Sequence, residues 1–369
     1  MRKWLLSIFT FILMAVGCCA ITSCEKATDV QGLIYEKIEG KEEYRVVNTY
    51  MEAVFTHITI PETYLGLPVT EIGALHDYGY LKSIRIPSSI KKISNDWAYS
   101  TSLESIYIED IGAWCSIEFD GYSSSNPLSV GADLYLNNKL VTDLVIPDSV
   151  TTIGKYAFYN CSNLTSVVIP DSVTTIGICA FSSCSSLTSV YITDIAAWCN
   201  ISFGGVDANP LYCAKNLYLN NELITDLIIP EGVTEIKSCA FSSCDSLTSV
   251  VIGDSVTSIG YDAFRYCSSL TSVVIGESVT AIGNYAFDSC SSLTSVVIPD
   301  SVTTIGDEAF WGCWSLTTVY YKGTASDWSS MSIYSKNYKL TDATRYYYDE
   351  SETVANWWHY DENGETVHA

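Results

Sequence analysis

Apolar positions recur along this chain at a fixed spacing. In Leu164-Thr165-Ser166-Val167-Val168-Ile169 the first, fourth and sixth residues are aliphatic, and Leu187-Thr188-Ser189-Val190-Tyr191-Ile192 repeats the spacing 23 residues later. Alternation along an extended strand turns Leu164, Val167 and Ile169 inward and leaves Ser166 and Val168 outside. Pro170-Asp171-Ser172 ends the strand, because proline has a preset φ and no N–H to offer. Val173 and Ile176 then return to the core, and Gly177 permits a bend that a side chain would obstruct. In Ala180-Phe181 the alanine leaves room and the phenylalanine plugs the space between units. This second half reads as a short strand plus turn, with a helical turn as the alternative. One such unit cannot bury its apolar face alone, so the units must stack. Stacking predicts a buried column of Phe158, Phe181, Phe241, Phe264, Phe287 and Phe310.

The spacing breaks in an orderly way. The core isoleucines Ile93, Ile153, Ile176, Ile236, Ile259, Ile282 and Ile305 are separated by 60, 23, 60, 23, 23 and 23 residues. Both long steps hold a related insert, near 109–142 and 193–225, with Trp114-Cys115 or Trp198-Cys199, an Asn-Pro-Leu, and a Leu-Tyr-Leu-Asn-Asn. Inserts in stacked repeats generally emerge on one face, often a binding face. A degenerate third copy follows Tyr320, with Trp328 and Tyr346-Tyr347-Tyr348, and reads as a terminal cap.

The consensus I-P-x-S-V-T-x-I-G-x-x-A-F-x-x-C-x-x-L-T-S-V resembles the BspA-like (Treponema-type) leucine-rich repeat of bacterial surface proteins. The expected fold is a β-rich solenoid, a leucine-rich-repeat right-handed superhelix with 23-residue coils. An N-terminal β-hairpin cap and a C-terminal aromatic cap would close it. The expected organisation is a signal at 1–23, a linker and hairpin cap at 24–57, repeats over 58–320, and a cap with an acidic tail at 321–369. The resemblance implies a cell-surface or outer-membrane adhesion module, non-catalytic, whose partner is a protein (host matrix or another cell surface) or a glycan; a structural surface spacer without a ligand is the alternative, and a carbohydrate-active enzyme the third reading.

The N-terminus carries its own message. Arg2 and Lys3 precede an apolar stretch from Trp4 to Ile21, the layout of an export signal. Ile21-Thr22-Ser23-Cys24 resembles a bacterial lipobox, which makes Cys24 the expected lipid attachment and membrane anchor; Ala15-Val16-Gly17-Cys18 makes Cys18 the alternative. A net charge of −23 argues against nucleic acid, for no stripe of Lys and Arg is there to neutralise phosphates.

Candidate chemistry narrows quickly. Six of the 14 cysteines form a column, Cys161, Cys184, Cys244, Cys267, Cys290 and Cys313, and free cysteine is a small buried apolar residue. Local disulfides Cys179–Cys184, Cys239–Cys244 or Cys199–Cys213 are the alternative for an exported chain. Carboxylates recur at Asp148, Asp171, Glu231, Asp254, Glu277 and Asp300, where solvated turn residues are the simpler reading than a calcium ladder. His57, His76, His359 and His368 lie outside the regular array, and no H-E-x-x-H, G-x-S-x-G or Walker motif occurs, so no catalytic residue, metal or cofactor is expected. Trp114, Trp198 and Trp328 sit at fixed motif positions and read as core. The remaining signal is the outward strand position, where Tyr191 and Tyr320 replace valine. Tyr191, Tyr320, Ser166, Val168 and Ser189 form the expected binding surface.

Overall fold

A computed structural model describes residues 27–28, 33–49, 56–75, 79–352, 356–361 and 366–368. The export signal with Cys18 and Cys24, and His76, lie outside the described residues.

Strand Leu33–Lys37 pairs antiparallel with Tyr44–Thr49, which in turn lies parallel to Leu67–Ile72. From there the chain builds parallel ladders of two kinds. Three- to five-residue strands carry the L-x-x-V-x-I pattern, and two-residue strands such as Thr152–Ile153 and Thr175–Ile176 form a second ladder. The second half of each unit is thus a short strand plus turn. Register partners are repeat-equivalent residues: Ser249 pairs with Ser272, and Ser272 with Ser295. The stack is mostly strand, with few and short helices.

One apolar core runs through all the ladders, from Leu33 to Leu340. Phe241, Phe264, Phe287 and Phe310 are fully buried, and successive ring centroids lie 5.2 Å apart. Their backbone extends the order: the N–H of Phe241, Phe264 and Phe287 donates to the carbonyl of Ala263, Ala286 and Ala309 in the following coil, at 2.7–2.8 Å. The cysteine column closes the same seam from the other side. Cys267, Cys290 and Cys313 are buried, and each thiol donates to the carbonyl of Phe241, Phe264 and Phe287 at 3.2 Å. A small side chain with a weak donor suits that corner, which is why it recurs.

Gly177 works differently from the expected bend. A Cβ there would lie 2.6 Å from the backbone nitrogen of Lys155, so this glycine permits close approach of adjacent coils. The left-handed bend falls two residues later on non-glycine positions: Cys179, Cys239, Asp262, Tyr285 and Glu308 all have φ between 53° and 66°.

The inserts, expected to emerge on one face, are built into the ladders. Each is a coil of the stack. Asp133–Leu136 pairs parallel with Ser105–Ile108, and Leu217–Leu219 with Ser189–Ile192. The Trp-Cys segment forms a short helix, Ile111–Cys115 or Ile195–Cys199, capped by the carboxylate of Asp110 or Asp194. Trp114, Trp198, Leu128 and Leu211 are buried. Next, Leu136-Asn137-Asn138-Lys139 turns back in a tight hairpin. Both asparagines have positive φ (49° and 64°), as a two-residue hairpin turn requires. Asn220 and Asn221 do the same at 51° and 71°.

These hairpins end one long ladder, and the next begins afresh at Asp143–Val145 or Asp226–Ile228. Side chains carry hydrogen bonding across the gap. The indole of Trp114 donates to the carbonyl of Ala157 at 2.7 Å, and the Asn126 amide donates to Tyr156 and Ala157 carbonyls at 2.6 and 3.2 Å. Trp198 and Asn209 repeat this on Ala240 at 2.8 and 3.0 Å. They supply donors where an insert coil has no Ala-Phe step.

Candidate interaction surface

Strand alternation sorts each long ladder into two faces. Leu144, Val167, Val190 and Leu217 point inward and are buried. The opposite positions, paired in register, form an outward column: Val145, Val168, Tyr191, Tyr218 and Leu223. Val145 is 61% and Leu223 45% exposed, and the three between them are half-buried. The Tyr191 and Tyr218 rings stack, with centroids 4.8 Å apart. An apolar stripe with an aromatic pair at its centre thus faces solvent.

A second outward column runs beside it. Ser166 is the register partner of Asp143, and Ser189 that of Ser166. The Ser166 hydroxyl donates to Asp143 at 2.6 Å, and Thr142 donates at 3.1 Å. Those hydroxyls, Ser166 foremost, hold the Asp143 carboxyl below its ordinary range. Asp226 is held in the same way by Ser249 and Thr225. Ser166 is therefore committed to an internal contact, while Ser189 faces its neighbour Thr188 at 3.4 Å.

The same architecture occurs three times, and each copy ends in a stacked tyrosine pair. In the first ladder the pair is Tyr107 and Tyr135, 4.9 Å apart, with the Arg85 guanidinium 5.0 Å from the Tyr107 ring. In the third, Ile228, Val251, Val274 and Val297 lead to Tyr320 and Tyr346, 5.8 Å apart. Tyr320 is not on the surface. It is 7% exposed, because the C-terminal strands Trp357–Tyr360 and Thr366–His368 fold onto this column. The Trp358 ring lies 5.3 Å from Tyr320, and its indole N–H donates to the Tyr321 carbonyl at 3.0 Å. His368 sits 4.5 Å from Tyr346.

Tyr191 and Val168 thus join one column with Tyr218, while Tyr320 belongs to a covered one. Tyr218, Tyr107 and Tyr135 escaped the sequence reading, although the recurring Leu-Tyr-Leu of the inserts was the signal for Tyr135 and Tyr218, and Ile106-Tyr107-Ile108 that for Tyr107. Trp328 is buried with Trp114 and Trp198, as core placement requires.

Burial pushes the thiols of Cys115, Cys161, Cys199 and Cys313 up to about 12. Cys179, Cys184, Cys199, Cys213, Cys239 and Cys244 are all free, so none of the three disulfide pairs named as the alternative forms. Cys179 instead donates to Asp207 at 3.0 Å. The turn carboxylates Asp148 and Asp171 are exposed, and Asp254 accepts from the Glu277 N–H at 2.8 Å.

Repeat-equivalent pairing, the phenylalanine column and the consensus converge with a family profile. The BspA type leucine rich repeat region matches in six copies, over residues 46–126, 128–204 and 213–341. The chain belongs to this family. Among curated proteins none is significantly similar. Solved structures similar to it include a leucine rich cell surface protein of Faecalibacterium prausnitzii, 24% identical over 84% of this chain and 98% of that one, with a TM-score of 0.41. A leucine-rich repeat protein of Bacteroides ovatus is 21% identical over 87% and 99%, with a TM-score of 0.34. The pneumococcal vaccine antigen PcpA is 17% identical over 89% and 94%, with a TM-score of 0.46. Repeat proteins of this family serve as interaction modules. In this member the stripe centred on Tyr191 and Tyr218 is an outward apolar feature that the described C-terminal strands leave uncovered.

Proposed function

We propose that this chain is a non-catalytic, cell-surface interaction module, lipid-anchored through Cys24 (Cys18 as the alternative), that binds a protein partner on the Tyr191–Tyr218 column. Its stack is a right-handed superhelix of 23-residue coils, closed by the Leu33–Thr49 hairpin and by the aromatic C-terminus. One observation carries the reading: the molecule covers the equivalent Tyr320 column with its own aromatic residues and leaves this one open. Aromatic and aliphatic groups in a desolvated patch are what protein interfaces use as anchors. A glycan is less well served, because Val145, Val168 and Leu223 offer no hydrogen bonds to sugar hydroxyls.

The test is capture of host-matrix and bacterial surface proteins by immobilised full-length protein, beside the Tyr191→Ala/Tyr218→Ala variant. Binding that the variant loses, with its thermal midpoint nearly kept, supports the reading. Binding that survives the variant, or a glycan array that responds where proteins do not, overturns it. Metabolic palmitate labelling that disappears in Cys24→Ser fixes the anchor; labelling that survives it and disappears in Cys18→Ser moves the anchor to Cys18.

A further inference from the structure

Three charges crowd together beside the phenylalanine column. The residue before Ala-Phe is Asp262 and the residue after it Arg265; the next coil places Asp288 after its own phenylalanine. In the preceding coil the same two positions hold uncharged Cys239 and Ser242. The side chains of Asp262 and Asp288 are 2% and 1% exposed, and both pair with the one guanidinium of Arg265.

The two carboxylates are not served equally. Arg265 Nε donates to Asp288 at 2.8 Å, and the Ser289 hydroxyl donates to its other oxygen at 2.9 Å. Asp262 Oδ1 lies 3.4 Å from Arg265 Nη1 and has no hydrogen-bond partner among the described residues. Two carboxylates against one cation leave a negative charge in surplus, and an uncompensated buried charge is strongly destabilising. The other groups around the cluster do not relieve it. Burial pushes the Cys239 thiol up to about 12, burial raises the Tyr261 phenol, and Glu308 raises that of Tyr285. Glu308, beyond Asp288, is itself paired with Lys336.

We propose that Asp262, Arg265 and Asp288 form a proton-operated latch between adjacent coils: Asp262 takes up a proton as the medium acidifies, and the coils then hold together more firmly than at neutral pH. Once Asp262 is neutral the surplus charge is gone and Arg265 serves Asp288 alone. The guanidinium keeps its place against the Tyr266 and Tyr285 rings, 4.6 and 5.0 Å from their centroids. Burial foremost pushes the Asp262 carboxyl up to about 6, with Arg265 pulling it down and Asp288 pushing it up. The folded chain therefore binds more protons than the unfolded one between the ordinary aspartate range and about 6, and stability falls as pH rises through that window. Asp143, held low by hydroxyls, has the opposite sign.

Two measurements on the full-length protein test the latch. Carboxyl NMR of aspartate-labelled protein, with Asp262 assigned through its backbone, should show it titrating about two pH units above an ordinary aspartate. Asp288→Asn should bring it down, because a like charge goes and Arg265 is left to Asp262. Hydrogen exchange of the Phe264 and Phe287 amides, which donate to the following coil, reads the coils themselves. From about pH 7 to about pH 5, their protection should rise about tenfold more in the wild type than in Asp262→Asn. Titration of Asp262 among the ordinary aspartates, no response to Asp288→Asn, or the same pH dependence of protection in Asp262→Asn would each overturn the proposal.

Discussion

Two columns of the same strand face, one centred on Tyr191 and one on Tyr320, start from the same pattern and end differently. In the middle ladder the chain turns back at Asn220-Asn221 and leaves the tyrosine pair in water. In the last ladder the stack continues, through Thr344–Tyr348, into strands that return over the face and bury Tyr320 beneath Trp358. Position in a repeat therefore decides which way a side chain points, and the surrounding chain decides whether anything reaches it. An outward aromatic can serve stability or recognition, and the repeat alone does not separate the two.

That contrast can be broken at several points. The largest effect belongs to the scaffold beneath both columns. Phe264→Ala should lose about 3–5 kcal/mol, read as a lower midpoint of cooperative denaturant unfolding; an unchanged midpoint would remove Phe264 from the core. Trp358→Ala removes a fully buried ring, and its loss of about 3 kcal/mol or more should stay local. Hydrogen exchange should quicken in Thr344–Tyr348 and hold in Ser166–Val168. If both ladders exchange faster together, the C-terminal cover is an integral part of the core rather than an occupant of the face.

A smaller change tests the joint between ladders. Asn126→Ala leaves the Ala157 carbonyl with the Trp114 indole alone, and should cost about 1–3 kcal/mol by chemical denaturation. Asn209→Ala should cost the same within error, because its contacts repeat on Ala240. The columns themselves then divide. Tyr320→Ala should cost about 3 kcal/mol, whereas Tyr191→Ala, half-buried, should cost about 1 kcal/mol. Equal costs would erase the distinction between a covered and an open pair.

The smallest effect is electrostatic. The Asp143 carboxyl is held low by Ser166 and Thr142, so its folded value lies beneath its unfolded one. Its stabilising contribution is present above the ordinary carboxylate range and disappears as pH falls through the folded value. Wild type should therefore exceed Asp143→Asn in thermal midpoint at neutral pH, and the gap should close as pH falls below the ordinary carboxylate range. A gap that widens on acidification would reverse the assignment.

Much of this was legible in the sequence, and for a physical reason. Stacking imposes the same demand on each coil, so Phe264, Cys267 and Ile259 recur because each must sit over its counterpart. The fate of Tyr320 was hidden because Trp358 arrives from 38 residues further on, and no periodicity records that return. The place of the inserts in the stack was hidden for a related reason: the spacing breaks there, yet Trp114 and Asn126 rebuild inside the core the contacts that Ala-Phe makes elsewhere. Tyr218 was visible in Leu217-Tyr218-Leu219, but its pairing with Tyr191 needed the register.

The open and covered columns can be told apart directly by tyrosine nitration of the folded full-length protein, mapped by peptide mass spectrometry. Tyr191 and Tyr218 should be modified in the wild type, and Tyr320 should be protected there and become reactive in Trp358→Ala. Nitration of Tyr320 at the rate of Tyr191 in the wild type, or protection that persists without Trp358, would contradict the account.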